Sequence, residues 1–374
     1  MAVRVQPARE GCARSARRAS AGFSDRGRAR WRGVRASARG DPPRSGGEPP
    51  GERHRRAVDA SPGQPGGDAR AGAPVAGAER EVLAAVVSGE PPRVKKGGIS
   101  VKACFNTITC GGDKPLETVL DLLGKYGFEG VEIEAGRLDD YLTRYSVSDL
   151  RRQLARNRLQ VAAIMAFPFF AFDAAQQEEQ LRRVDKYARL ARQLGSSTLL
   201  CFTADAPPAG MGIAEALERA GKAAQRYGEA SGQYAVKCAL EPIGGAPFMP
   251  GPRQALAVVG ASMSKSVGIM MDTFHSYKSG VPLDEIRRLP REQLLIVHVN
   301  DCPDLPREQL HDGHRVYPGQ GVIPLVEEFR LLKHEVGYRG FLSIEIFNRD
   351  YWADSPENVV RQAKLALDAV LAKV

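Results

Sequence analysis

Eight short apolar runs recur between residues 99 and 346, each followed by a stretch that carries helix punctuation. The runs are 99–106 (ISVKACFN), 130–134 (GVEIE), 159–165 (LQVAAIM), 197–203 (STLLCFT), 235–241 (AVKCALE), 267–272 (VGIMMD), 294–299 (LLIVHV) and 341–346 (FLSIEI). Most are apolar on both faces, as parallel strands covered by helices must be. Between them the helices start and stop on recognisable residues. Asp113 is expected to cap a helix with Pro115 in its first turn, a stripe of Leu116, Val119, Leu120 and Leu123, and an end at Gly127. Asp173 is expected to cap a longer one with the stripe Leu181, Val184, Ala188, Ala191 and Leu194, closed by Gly195. Pro324 and Ser355-Pro356 open two more, the first stopping at Gly337. Eight such units in about 276 residues match the size of a (β/α)8 TIM barrel. A doubly wound open sheet is the competitor, but the first loop, Thr109-Cys110-Gly111-Gly112-Asp113, lacks the GxGxxG spacing such sheets often carry.

The sequence preceding the barrel, residues 1–98, has a different character. It holds 16 Gly and 10 Pro, with Phe23 and Trp31 its only aromatics. A segment of this composition buries too little apolar surface to offset its ordering entropy, so a disordered tail over 1–98 and a folded domain over 99–374 are expected. The tail carries 20 Lys/Arg against 10 Asp/Glu, and the remainder 33 against 34. The chain's net charge of +9 thus belongs to the tail, and the barrel is a poor electrostatic partner for nucleic acid. No apolar h-region follows the early arginines, and no apolar run reaches the length of a membrane span. The six cysteines form no CxxC pair and most lie in strand-like runs, which fits a reducing compartment. A cytoplasmic location is expected, with an organellar transit peptide as the second reading of the Arg-, Ala- and Ser-rich start.

In a barrel the reacting groups sit at the C-terminal strand ends. Strand 5 ends in Glu241-Pro242, strand 6 in Asp272, strand 7 near His298 and strand 8 near Glu345. Taken singly, Asp272 reads as a helix cap, His298 as a core histidine, and the glutamates as halves of buried ion pairs. As a set, three acids at the ends of apolar strands are costly to bury without a cation. With one imidazole they make a three-oxygen, one-nitrogen site suited to Mn²⁺ or Mg²⁺, with Co²⁺ or Zn²⁺ as alternatives. No P-loop or Rossmann fingerprint is present, so no nucleotide cofactor is expected.

The stretches 102–109 (KACFNTIT), 128–134 (FEGVEIE), 239–244 (ALEPIG), 271–275 (MDTFH), 296–301 (IVHVND), 315–323 (RVYPGQGVI) and 343–347 (SIEIF) carry a resemblance. Over the whole of 99–374 the chain resembles the xylose-isomerase-like TIM barrels, and within them the inosose (2-keto-myo-inositol) isomerases. The resemblance implies that Glu241, Asp272, His298 and Glu345 take a divalent metal and that His275 and Arg315 contact substrate oxygens. It implies a small keto sugar or inosose as substrate and a carbonyl shift through an enediolate; strands 5 and 8 lie apart around the ring, so Glu241 and Glu345 are expected to flank the substrate and move the proton. The stretch Met165–Phe170 is expected to wall the pocket. Ketose 3-epimerase, hydroxypyruvate isomerase and inosose dehydratase share this site and stand as alternatives. An endonuclease IV-like nuclease is disfavoured: Asp312-Gly313-His314 fits it, but no histidine lies between His54 and His275 to supply the earlier ligands. An inert binding module is disfavoured because all four ligand positions are filled.

Overall fold

Every apolar run becomes a strand. The structure, a computed structural model, describes residues 101–374. The expectation of a disordered tail lies outside the described residues. The strands are β1 (Lys102–Asn106), β2 (Gly130–Glu134), β3 (Gln160–Phe169), β4 (Thr198–Thr203), β5 (Lys237–Glu241), β6 (Val267–Asp272), β7 (Leu294–Val299) and β8 (Phe341–Ile344). They pair in sequence order, all parallel, and β1 pairs with β8 to close the barrel. Closure removes both sheet edges, and the helices between strands cover the outer face.

Local chemistry explains most boundaries. Asp173 accepts a hydrogen bond from Gln176 N and caps the helix Ala174–Gln193, whose Val184, Ala188 and Ala191 are buried against the sheet. Gly195 follows it at φ +79°, a conformation that a residue with a Cβ adopts at a cost. Ser355 caps the last helix, Pro356–Leu371, through Asn358 N. Asp113 does not cap. The helix Leu116–Lys125 has Pro115 at its N-cap position with no side-chain cap bond, and the Asp113 carboxylate instead pairs with Lys114 at 2.8 Å. The segment opened by Pro324 runs as an α-helix only over Leu325–Arg330 and widens to a π-helical turn over Leu331–Glu335 before Gly337. Strand β3 extends four residues beyond the expected 165. Pro168 pairs with Phe202 on β4 but lies beyond Met165, the last β3 residue paired with β2, so one side of the strand is free there and a missing N–H is tolerated.

Two apolar clusters divide the core. The larger lies between sheet and helices. The smaller fills the barrel interior with Cys104, Ala162, Ala163, Met165, Leu200, Ala239, Met270 and Ile296. Strand side chains alternate faces, so the residue two positions further along also points inward. Above Cys104 stands Asn106, above Ala239 Glu241, above Met270 Asp272 and above Ile296 His298, all buried. The barrel is thus plugged by an apolar layer with a polar layer directly over it. The same alternation corrects the expected pocket wall. Met165 and Ala166 join the interior cluster, but Phe167 and Phe169 face the helices, 5.2 Å from the rings of Tyr187 and Tyr227. Among the described residues no helix is long and apolar enough to cross a membrane, and the five cysteines are free and buried.

Candidate metal centre

The polar layer concentrates charge that the barrel interior cannot hydrate. Glu241, Asp272, His298 and Glu345 each offer one ligand atom, and these atoms lie within 4.8 Å of one another. Strands β5, β6 and β7 carry the first three, and Glu345 follows β8 directly. Thr203 on β4 donates to Glu241 O at 2.9 Å and holds the end of β5. Asp272 does two jobs with two oxygens. Its Oδ1 accepts from His275 N at 2.9 Å and caps the helix Thr273–Lys278, while its Oδ2 faces the site. The cap and ligand readings of Asp272 are therefore both met by one side chain.

His298 is fixed by its far nitrogen. Nε2 lies 2.8 Å from Glu132 Oε2, a buried carboxylate on β2. Nδ1 makes no hydrogen bond and stands 3.0 Å from Glu345 Oε2 and 3.7 Å from both Glu241 Oε1 and Asp272 Oδ2. This is the carboxylate–imidazole arrangement that orients a metal-ligating histidine. Asn106 on β1 donates to Glu345 Oε1 at 3.1 Å and to Glu132 Oε2 at 3.4 Å. Asn300 donates to Asp272 Oδ2 and to Glu345 O, each at 3.2 Å, and Thr273 Oγ1 accepts from Asn300 N at 3.1 Å.

Arg315 and His275 close the site. Arg315 is 1% exposed, and its Nη1 donates to Asp272 Oδ2 and Glu345 Oε2, both at 2.8 Å. Its Nη2 donates to Asp312 Oδ1 at 3.0 Å and lies 3.0 Å from His275 Nε2. His275 Nε2 is 3.9 Å from Glu241 Oε1. All six residues singled out in the sequence thus meet at one mouth. Asp312 joins them only through Arg315 and His275, while the rings of His314 and His311 pack on each other at 3.7 Å.

The cluster carries an excess of buried negative charge. Four buried carboxylates, Glu132, Glu241, Asp272 and Glu345, face one guanidinium and one ligand imidazole. Burial, followed by the charges of Glu345 and Asp272, pushes Glu241 well above the ordinary carboxylate range although His298 opposes the shift. Burial also works to raise Asp272, but Arg315 overrides it and holds that carboxyl well below its usual range. Burial acts to lower His298, yet the charge of Glu132 and then of Glu345 lifts it well above its ordinary value. The same negative potential favours a divalent cation. Three carboxylate oxygens and one imidazole nitrogen without a hydrogen bond fit such an ion.

Sequence reasoning missed Glu132, Asn106, Asn300 and Thr273. Glu132 interrupts the apolar run GVEIE on the same face as Glu134, and that was the available signal.

Comparisons with known proteins agree with this architecture. The family model described as xylose isomerase-like TIM barrel matches residues 120–370. The inosose isomerase of Bacillus velezensis is 26% identical over 276 residues, covering 73% of this chain and 98% of that protein. A 3-dehydroshikimate dehydratase of Pseudomonas putida is 26% identical over 256 residues, covering 66% of this chain but 38% of that longer protein. The crystal structure of the IolI protein with a bound zinc atom superposes with a TM-score of 0.68 at 26% identity, covering 73% of this chain and 99% of that one. With its closed eight-stranded barrel and a family match over most of its length, the chain belongs to the xylose isomerase-like TIM barrel family.

Proposed function

We propose that the protein is a divalent-metal-dependent isomerase of the sugar isomerase/epimerase type and that its substrate is an inosose, 2-keto-myo-inositol or a close relative. The observation that carries this reading is the convergence of Glu241, Asp272, Glu345 and the unpartnered Nδ1 of His298 at one barrel mouth. A divalent ion bound by those four side chains supplies Lewis acidity toward a carbonyl and its neighbouring hydroxyl.

The chain's own groups supply the rest. Moving a carbonyl to the next carbon requires a base for the α-proton and an acid to return it to the adjacent carbon. Glu241 and Glu345 stand on strands separated around the ring by β6 and β7, and can act on opposite sides of one substrate. Proximity to a held substrate contributes much of the barrier lowering. Arg315 stays protonated, so its role is to hold substrate oxygens and stabilise negative charge on them, with His275 beside it. The likeness to inosose isomerases over nearly their whole length supports the substrate choice. The dehydratase likeness favours a second reading, in which the same proton abstraction ends in loss of water.

One experiment tests both. Mn²⁺-loaded protein is incubated with a panel of inososes and ketoses in heavy water and followed by NMR. Deuterium entering the carbon beside the carbonyl, with appearance of the isomeric inosose, supports the proposal. An unsaturated product supports dehydration, and no exchange with any inosose defeats the proposal.

A further inference from the structure

The string Arg315-Val-Tyr-Pro-Gly-Gln-Gly321 is wrapped around one buried side chain. Asp301, two residues past the end of β7, is 1% exposed. Its Oδ1 accepts from Cys302 N and Ile323 N, each at 2.9 Å. Its Oδ2 accepts from Gly319 N at 3.0 Å and Gly321 N at 2.9 Å. One carboxylate thus satisfies four backbone donors, three of them in a loop with no ladder of its own. The main chain of Asp301 also pairs with the start of that loop. Asp301 N donates to Val316 O at 3.0 Å and Val316 N donates to Asp301 O at 2.9 Å. Gly319 sits at φ +80°, and a Cβ at Gly321 would collide with Cys302 O and Asp301 Oδ1. The two glycines let the loop close on the carboxylate.

Arg315 directly precedes the paired Val316. Its guanidinium reaches Asp272 and Glu345, while its backbone carbonyl accepts from Asn348 Nδ2 at 3.1 Å. We propose that Asp301 is a positioning residue: by clamping 316–323 from both its main chain and its carboxylate, it sets where the Arg315 guanidinium stands against two candidate metal ligands. Asn at 301 keeps one carbonyl oxygen and replaces the other with an amide N–H₂ that faces two N–H donors, so half the clamp is lost. The inference rests on the reading of the site as a metal centre.

The test uses full-length wild type, D301N, Gly321→Ala, R315A and the double variant D301N/R315A. Hydrogen exchange over 315–323 is read by mass spectrometry, and Mn²⁺ affinity by calorimetry. D301N and Gly321→Ala are each expected to speed exchange in that segment by about tenfold and to leave β1–β6 unchanged. Gly321→Ala keeps the Asp301 side chain but forces the loop off it, because the added Cβ would collide with Cys302 O and Asp301 Oδ1, and it carries the test if D301N does not fold. R315A is expected to change Mn²⁺ affinity by about tenfold, D301N to change it in the same direction, and D301N added to R315A to change it less than about twofold further. Unchanged exchange, R315A without an effect on affinity, or effects of D301N and R315A that multiply would each overturn the proposal. A wild type that binds Mn²⁺ but turns over no inosose defeats the functional reading alone. A wild type that binds no Mn²⁺ defeats the metal reading and this proposal with it.

Discussion

The two halves of the barrel contribute to the same site in different ways. Strands β5 to β8 deliver the four side chains whose ligand atoms cluster, whereas β1 and β2 deliver Asn106 and Glu132, which touch those side chains from behind. The ligand half supplies charge that a cation answers. The supporting half supplies direction: Glu132 turns His298 so that Nδ1 faces the carboxylates, and Asn106 holds Glu345. The difference teaches that a site of this kind is assembled by ring closure, which brings the first two strands against the last two.

The sharpest way to break the comparison is to remove a ligand. Asp272→Ala should abolish tight Mn²⁺ binding, read by calorimetry, because one of four candidate ligands is lost along with the cap on Thr273–Lys278. Next come Glu241→Gln and Glu345→Gln, each expected to lower turnover by about 10²–10⁴-fold with metal partly retained, since Gln still offers an oxygen. A metal-loaded variant that exchanges the substrate α-proton at the wild-type rate removes that glutamate as the base. In the supporting half, Glu132→Gln should weaken Mn²⁺ by about 10–100-fold while the fold persists, the span seen when the partner of a ligating histidine is changed. A loss as complete as that of Asp272→Ala would make Glu132 a ligand itself and dissolve the distinction.

The smallest effect sharpens the contrast from outside both halves. Glu328 is 3% exposed, and its Oε2 makes no hydrogen bond. Burial, followed by the charges of Asp272 and Asp301, raises its carboxyl from 4.5 to about 8. Its folded value lies above the unfolded one, so its stabilising contribution is complete below pH 4.5 and is lost as pH rises through about 8. Between pH 6 and pH 9 the metal-loaded wild type should therefore lose on the order of 5 °C more in Tm than Glu328→Gln. Equal losses would show that burial of this acid does not hold its carboxyl protonated.

The legibility of the sequence divides along the same line. Glu241, Asp272, His298 and Glu345 stood out because each interrupts or ends a greasy run, and a polar residue there needs a reason. The strand count and the order β1 to β8 were legible for a similar reason: parallel strands buried on both faces leave unbroken apolar runs. Glu132 interrupts GVEIE and Asn106 ends ISVKACFN, but neither belongs to the four successive strand ends that make up the ligand set. The partner of each lies 166 or 239 positions away, reached only once β1 and β2 close the ring. Asp301 was visible only as one letter in a resembling string, because its four donors come from a turn whose shape local pattern does not encode. Asp113 misled by having the right residue type near a helix start, while Lys114 beside it took the carboxylate.

The central claim is that the ends of β5 to β8 hold one divalent ion. Anomalous diffraction at the manganese edge, from crystals of the wild-type chain grown with Mn²⁺, tests it most directly. A single strong peak bonded to His298 Nδ1 and to oxygens of Glu241, Asp272 and Glu345 is expected. A peak on other residues, or none at this cluster in Mn²⁺-saturated crystals, would contradict it.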